Sequence, residues 1–387
     1  MDNDVQHTSL PDPEPDRRLL SGWGRRTFLR TASIGGLVAG VGVLGSASAF
    51  AAEPGAGPNR PFGKFELLLL GTQGGPPPEP DRAGISSVLV VDGRSYVIDC
   101  GRASVTQYKK SGLSFDSLEA IFLTHLHMDH LADYYNFLVL GGLPSSQKND
   151  MIRSQIPVYG PGPAGGLPPA YGGGEVGTVN PENPTPGTRA LTEYLDQAFA
   201  YSTNVFMRDN AFRDIRELRR ITEIMPPASA GASALGDTAP RMRPFTVMED
   251  DRIRVTATLV PHGPIFPAYA FRFDTDYGSV TFSGDTRRSE NLIELARGSD
   301  ILVHEAIGDP RKFGMSDEAL EHMLQSHVLV DECGPIAHQA DVPHMVFSHL
   351  VEWGKPVNIG EWTRLGRKGY SGKVTVGRDL DRFAIRR

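Results

Sequence analysis

Cysteine is all but absent from the 387 residues, which hold only Cys100 and Cys333. No disulfide framework staples such a fold, although a single bridge stays open. Neither cysteine stands in a Cys-x-x-Cys or zinc-knuckle spacing, so any metal must be held through nitrogen and oxygen. Positive charge is also short: 39 Lys and Arg face 46 Asp and Glu, a formal net charge of -7. A protein built to grip a phosphate backbone normally shows a basic footprint, so no nucleic-acid partner is expected. What remains is ordinary for a globular chain, with 40% apolar and 22% charged side chains, long enough to bury one large core or two small ones.

The first fifty or so residues read as an address, not as part of a fold. In "GRRTFLRTASIGGLVAGVGVLGSASAFAAE", Arg25 and Arg26 precede Phe28 and Leu29, then a weakly apolar run, then Ala47, Ala49 and Ala51 at alternate positions, an A-x-A cleavage pattern. The run is short and Gly-rich for a membrane-spanning helix. The stretch resembles a twin-arginine export signal over residues 1-51, which implies recognition by the twin-arginine machinery and export to the periplasm or beyond. That pathway carries folded proteins, which suits an enzyme loaded with metal before export. The leader's five Arg (Arg17, Arg18, Arg25, Arg26, Arg30) match its five acids (Asp2, Asp4, Asp12, Glu14, Asp16), so the mature chain stays acidic.

From residue 65 short β-rich runs alternate with turn signals: "FELLLLGTQ", "ISSVLVVDG", "RSYVIDCG", "LEAIFLTH" and "IPVYGP". Helical spacing appears over 103-112 and 130-141. A second series follows in "IRVTATLVPHG", "AYAFRFDTD", "GSVTFSGDT", "DILVHEA" and "VPHMVFSHL", with helices expected near 290-298, 317-326 and 328-340. Two similarly built halves predict an α+β fold of four layers, an αββα sandwich, over residues 65-387. Gly and Pro crowd 161-190, a helical stretch is expected from about 190 to 222, and a Pro/Ala/Gly-rich segment leads back to strands. This helical, Gly/Pro-rich insertion, about 161-245, is expected to shape a substrate pocket.

The densest chemistry lies in "IFLTHLHMDHLAD", residues 121-133. Extended chain points alternate side chains the same way, so His125 and His127 can converge on one ion. Asp129 and His130 stand where a helix begins and seed a second half-site. His262, Asp285 and His349 each close an apolar strand and can gather at the same rim. Two divalent ions about 3.5-4 Å apart lower the pKa of a shared water to about 7, which supplies a hydroxide nucleophile. Asp129 can also orient that hydroxide, and a poor leaving group then needs a proton, for which His327 paired with Glu305 is the best donor in the chain. His304, His322, His338 and His344 read as surface or structural residues.

Several motifs together carry a wider likeness: "LLGTQGGPPPEPDRAGISS", "VIDCG" with Asp99, "THLHMDH", "FSGDT", "LVHEA", His327 and "FSHL". Over about residues 65-385 the chain resembles the metallo-β-lactamase-fold hydrolases, in their ribonuclease Z and arylsulfatase-like branch. The resemblance implies that His125, His127 and His262 bind one metal ion, that Asp129, His130 and His349 bind another, and that Asp285 bridges them. Both are divalent, with zinc expected first and manganese and iron also accepting this ligand set. It also implies that Asp99 orients a ligand imidazole, and that Glu305 and His327 relay a proton to the leaving group. Ile307 stands where that branch has threonine, which removes a hydroxyl from the relay.

The acidic, exported character favours a small-molecule ester substrate, an aryl sulfate first. A phosphodiesterase or lactonase is the alternative, and a ribonuclease Z-type endonuclease or a non-catalytic binding protein ranks lower. The oligomeric state is open, a homodimer included.

Overall fold

A computed structural model describes residues 61-143, 150-209 and 212-385. The proposed leader over 1-51 lies outside the described residues. Among those described, no helix is long and apolar enough to cross a membrane.

The first sheet sets β1 (Phe65–Gly71), β2 (Ser86–Val91), β3 (Arg94–Ile98), β4 (Leu118–Phe122), β5 (Ile156–Pro161) and β6 (Arg219–Ile224) side by side in chain order. The second does the same with β7 (Phe245–Glu249), β8 (Arg254–Leu259), β9 (Tyr269–Thr275), β10 (Gly278–Phe282), β11 (Ile301–Ile307), β12 (His344–Val351) and β13 (Lys373–Val376). A last strand, β14 (Arg382–Ala384), returns to pair with β1, Glu66 opposite Ala384. Each sheet opens antiparallel and turns parallel, at β3/β4 in the first and at β10/β11 in the second. The strand ends that follow these parallel pairings are the natural rim for a site.

Strand β1 shows why the fold is layered. Leu67 and Leu69 join the core between the sheets, while Leu68 and Leu70 join the core under the outer helices. A strand buried on both faces reads as a continuous apolar run, which is what "FELLLL" is. The inter-sheet core is aromatic. Phe122 stacks on Tyr159 at 5.0 Å and meets Phe273 edge-on at 5.1 Å. Helices Ser104–Lys110 and Tyr134–Gly142 cover the first sheet, and Glu290–Ala296, Cys333–Gln339 and Ile359–Gly366 cover the second, which completes the four layers.

Two expectations need correction. Helix 130-141 is broken: Met128–Leu131 makes one turn and a second helix starts at Tyr134, because Asp129 and His130 are turned into the site and not along the helix face. The stretch 190-222 is not helical to its end. Helices Thr188–Ala198 and Ala200–Asp209 are followed by β6, in which "RRITEI" pairs parallel with β5 from Arg219 to Ile224. β6 therefore belongs to the sheet although it lies within 161-245. A buried ion pair, Arg219 with Asp196, ties that edge strand to the first of those helices.

Candidate metal centre

Seven side chains from both sheets meet at the rim. After β4 the chain delivers His125, His127, Asp129 and His130. His262 follows β8, Asp285 follows β10, and His349 lies within β12. His125, His127, His262 and Asp285 offer donor atoms within 4.8 Å of one another, and Asp129, His130 and His349 do the same. Asp285 Oδ2 is central: it lies 3.0 Å from His349 Nε2, 3.4 Å from His130 Nε2, and 3.8 Å from both His125 Nε2 and His262 Nε2. Every ligand named from the sequence is thus brought together.

The donors are also oriented. Asp99 Oδ2 accepts from His130 Nδ1 at 2.9 Å, while Thr124 donates its N–H and hydroxyl to the same carboxylate, each at 2.8 Å. That bond leaves His130 Nε2 for the centre. His125 Nδ1 is tied to Thr124 Oγ1 at 3.1 Å, and His262 Nδ1 donates to Ser326 O at 2.9 Å. Asp129 Oδ2 accepts from Gly75 N–H at 3.0 Å. Asp99 and His349 both hold left-handed backbone, with φ of 57° and 54°. Non-glycine residues take that conformation at a cost of about 1-3 kcal/mol and mainly where a site demands it.

These residues fit divalent cations. His125 Nε2, His130 Nε2 and Asp285 Oδ1 are buried without a hydrogen-bond partner, which is costly unless a ligand completes them. His262 Nε2 and His127 Nδ1 face each other at 3.1 Å, two nitrogens that a shared cation reconciles. Electrostatics agrees. Burial holds the His125 and His262 imidazoles far below their ordinary value, and holds His127 at about 4, so they are neutral ligands. Burial also opposes charge on His130 and His349, but Asp285 and the neighbouring carboxylates override it and raise both, His349 to about 10. Those protons stand where cations compete with them.

Beside the donors, His327 offers a ring nitrogen within 4.8 Å of Asp285 and His349 donor atoms. Its Nδ1 lies 3.3 Å from Glu305 Oε1, which also accepts from Val328 N–H at 3.0 Å. The ring stacks on His349 at 5.7 Å.

A cleft of about 850 Å³ opens over His127, Asp129, Asp285, His327 and His349. One wall is the loop after β1. Arg102 pins it by donating to Gln73 Oε1 at 3.2 Å and Arg82 O at 2.6 Å, and Asp379 accepts from Ala83 N–H at 2.6 Å. His322 lines this cleft and does not sit idle on the surface: Tyr171, from the Gly/Pro-rich segment, meets its ring edge-on at 5.7 Å. His344 is structural, its Nε2 bonded to Thr375 Oγ1 at 2.9 Å. Cys100 and Cys333 are both free and buried.

Sequence reasoning gave no role to Thr124, Gly75 or Ser326. Thr124 and Gly75 sit inside quoted motifs, but Gly75 and Ser326 act through main chain, which no side-chain pattern reveals.

Comparison with known proteins agrees with this architecture. The family model described as the Metallo-beta-lactamase superfamily matches residues 80–144. Ribonuclease Z of Mycobacterium bovis (strain BCG / Pasteur 1173P2) is 27% identical over 321 residues, spanning 83% of this chain and 98% of the relative. Ribonuclease Z of Mycobacterium tuberculosis (strain ATCC 25618 / H37Rv) is 27% identical over 323 residues, with the same coverage. Among solved structures, the short form of human tRNase Z superposes with a TM-score of 0.54 at 21% identity, over 83% of this chain and 99% of that one. The expectation of a small-molecule ester substrate and no nucleic-acid partner is overturned by these ribonuclease relatives. Its weakness is physical: net charge averages over the whole chain and takes no account of bound cations, which would offset the carboxylates that line the cleft together with Arg82, Lys355 and Arg378. The chain has the metallo-β-lactamase fold, and within it the site of a metal-dependent hydrolase of ester bonds.

Proposed function

We propose that this protein is a two-metal phosphodiesterase that cleaves RNA, similar in its reaction to ribonuclease Z, with zinc as the first candidate ion. The Glu305–His327 pair beside the donor set carries the reading. An RNA phosphodiester releases a ribose hydroxyl, a poor leaving group that needs a proton as the bond breaks. When bound, the ions would activate water and neutralise charge developing on the phosphate. The chain's own residues do the rest. Glu305 accepts from His327 Nδ1, which leaves Nε2 to carry the transferable proton, and Val328 N–H keeps the carboxylate aimed. Asp129, fixed by Gly75 N–H, orients the attacking water. Asp99 and Thr124 hold His130 and His125 in position. Lys355 and Arg378 would offer charge to flanking phosphates within a lining that also carries Glu79, Asp81, Glu352 and Asp379.

The test is cleavage of an RNA hairpin bearing a single-stranded 3′ extension by the zinc- or manganese-loaded protein, followed on a denaturing gel. Hydrolysis of aryl sulfates with RNA left intact would defeat the reading.

We also propose that residues 1-51 direct export through the twin-arginine route, on the strength of Arg25, Arg26 and the Ala47, Ala49, Ala51 pattern. Replacing both arginines by lysine should hold the protein in the cytoplasm; unaltered export would refute the leader.

A further inference from the structure

We infer that the indole of Trp353 is the platform on which a nucleobase next to the scissile phosphate stacks; this rests on the RNA-cleaving reading above. Strand β12 carries His349 into the donor set, runs on to Val351, and leaves as a loop along the same cleft. Trp353 lies four positions beyond that histidine. The loop is braced on both sides of the cleft edge: Gly308 N–H donates to Val351 O at 2.8 Å, and Trp362 Nε1–H donates to Glu352 Oε2 at 3.0 Å. Gly354 turns with φ of 66°, a left-handed bend that suits glycine. Phe313 packs against the indole at a tilt of 49°, ring centroids 6.2 Å apart. The indole is therefore held in place before any ligand arrives, which lowers the cost of binding a flat partner.

The surroundings suit a base and not a bare phosphate. Pro76, Pro77 and Met323 share the cleft with Trp353 as apolar neighbours, and its charged lining mixes Arg82 and Arg378 with Glu79, Asp81, Glu352 and Asp379, which disfavours a bare phosphate. An aromatic platform with apolar neighbours is the part of single-stranded nucleic-acid recognition that stacks a base without sequence readout. Trp353 is only partly buried, which leaves part of the indole open to a flat partner, while its Nε1 is enclosed on the protein side.

The experiment uses metal-loaded wild type, W353A and W353F on three RNAs: a hairpin with a single-stranded 3′ extension, and two copies carrying one abasic nucleotide, 5′ or 3′ of the cut. W353A should raise KM for the intact RNA about tenfold or more, as loss of one stacked base does, with kcat reduced less and metal content unchanged. W353F should recover most of the loss. One abasic RNA should cost the wild type a similar factor and cost W353A nothing further. Equal losses for W353A on intact and both abasic RNAs, or no loss on any, would overturn the inference while leaving the nuclease reading intact. A wild type that cuts none of the RNAs overturns both.

Discussion

Gly74 passes so close to His349 that a β-carbon on it would lie 2.3 Å from His349 Nδ1. Real β-carbons do not approach an imidazole that closely, so the glycine is a geometric requirement of the metal centre, not a matter of turn flexibility.

Gly74→Ala should therefore displace His349 and remove one donor while leaving both sheets intact. Bound metal, measured by elemental analysis, should fall by about one equivalent, and activity by about 10²-fold, the scale expected of a misplaced catalytic group. Full metal content in the variant would show that β12 yields more easily than the contact implies.

Asp99→Asn keeps the shape of the residue but removes the charge that meets His130 Nδ1. Metal affinity should drop about 10- to 100-fold, as for other lost partners of ligating imidazoles. Competition with a chelating dye measures this directly, and wild-type affinity would deny Asp99 its orienting role.

Asp285→Ala removes the carboxylate that four imidazoles surround. Turnover and metal content should be lost together. Far-ultraviolet circular dichroism should stay near wild type if the sandwich folds before it is loaded.

His327→Ala should retain its metal and lose about 10²- to 10⁴-fold on RNA, the range for a missing general acid. An aryl phosphodiester, whose phenolate leaves without help, should suffer far less. Equal losses on both would remove the proton-donor assignment.

Cys100 and Cys333 should not react with thiol reagents at pH 8. Burial pushes both thiols well above their ordinary value, reinforced by Asp99 near Cys100 and Glu305 near Cys333. They are protonated in the folded protein and become reactive only on unfolding, when their pKa falls back to about 8.5. Rapid labelling of the native protein would contradict this.

Most of the ligand set was legible because donors at strand ends follow a rule: an apolar run, then His or Asp, then a loop. His262 and Asp285 obey it, and even His349, which lies inside its strand, ends the readable apolar run "MVFSHL". Strand β6 was missed because it leaves a 3-10 turn, Ile215–Leu218, within an otherwise helical stretch, and only pairing with β5 distinguishes it. The place of His322 was hidden too, since the contact that sets it comes from Tyr171, about 150 positions away in the chain. The partner class was misjudged because a total of side-chain charges leaves out the charge that bound cations would bring to a cleft lined by carboxylates.

The seven donors divide four and three between the two sheets, with Asp285 reaching across. A cation seated there would act as a rivet through the seam of the sandwich. Chelation would then do more than silence the enzyme: it would loosen the rim of a sandwich whose aromatic core still holds the sheets together, tying the molecule's endurance to the supply of a trace element.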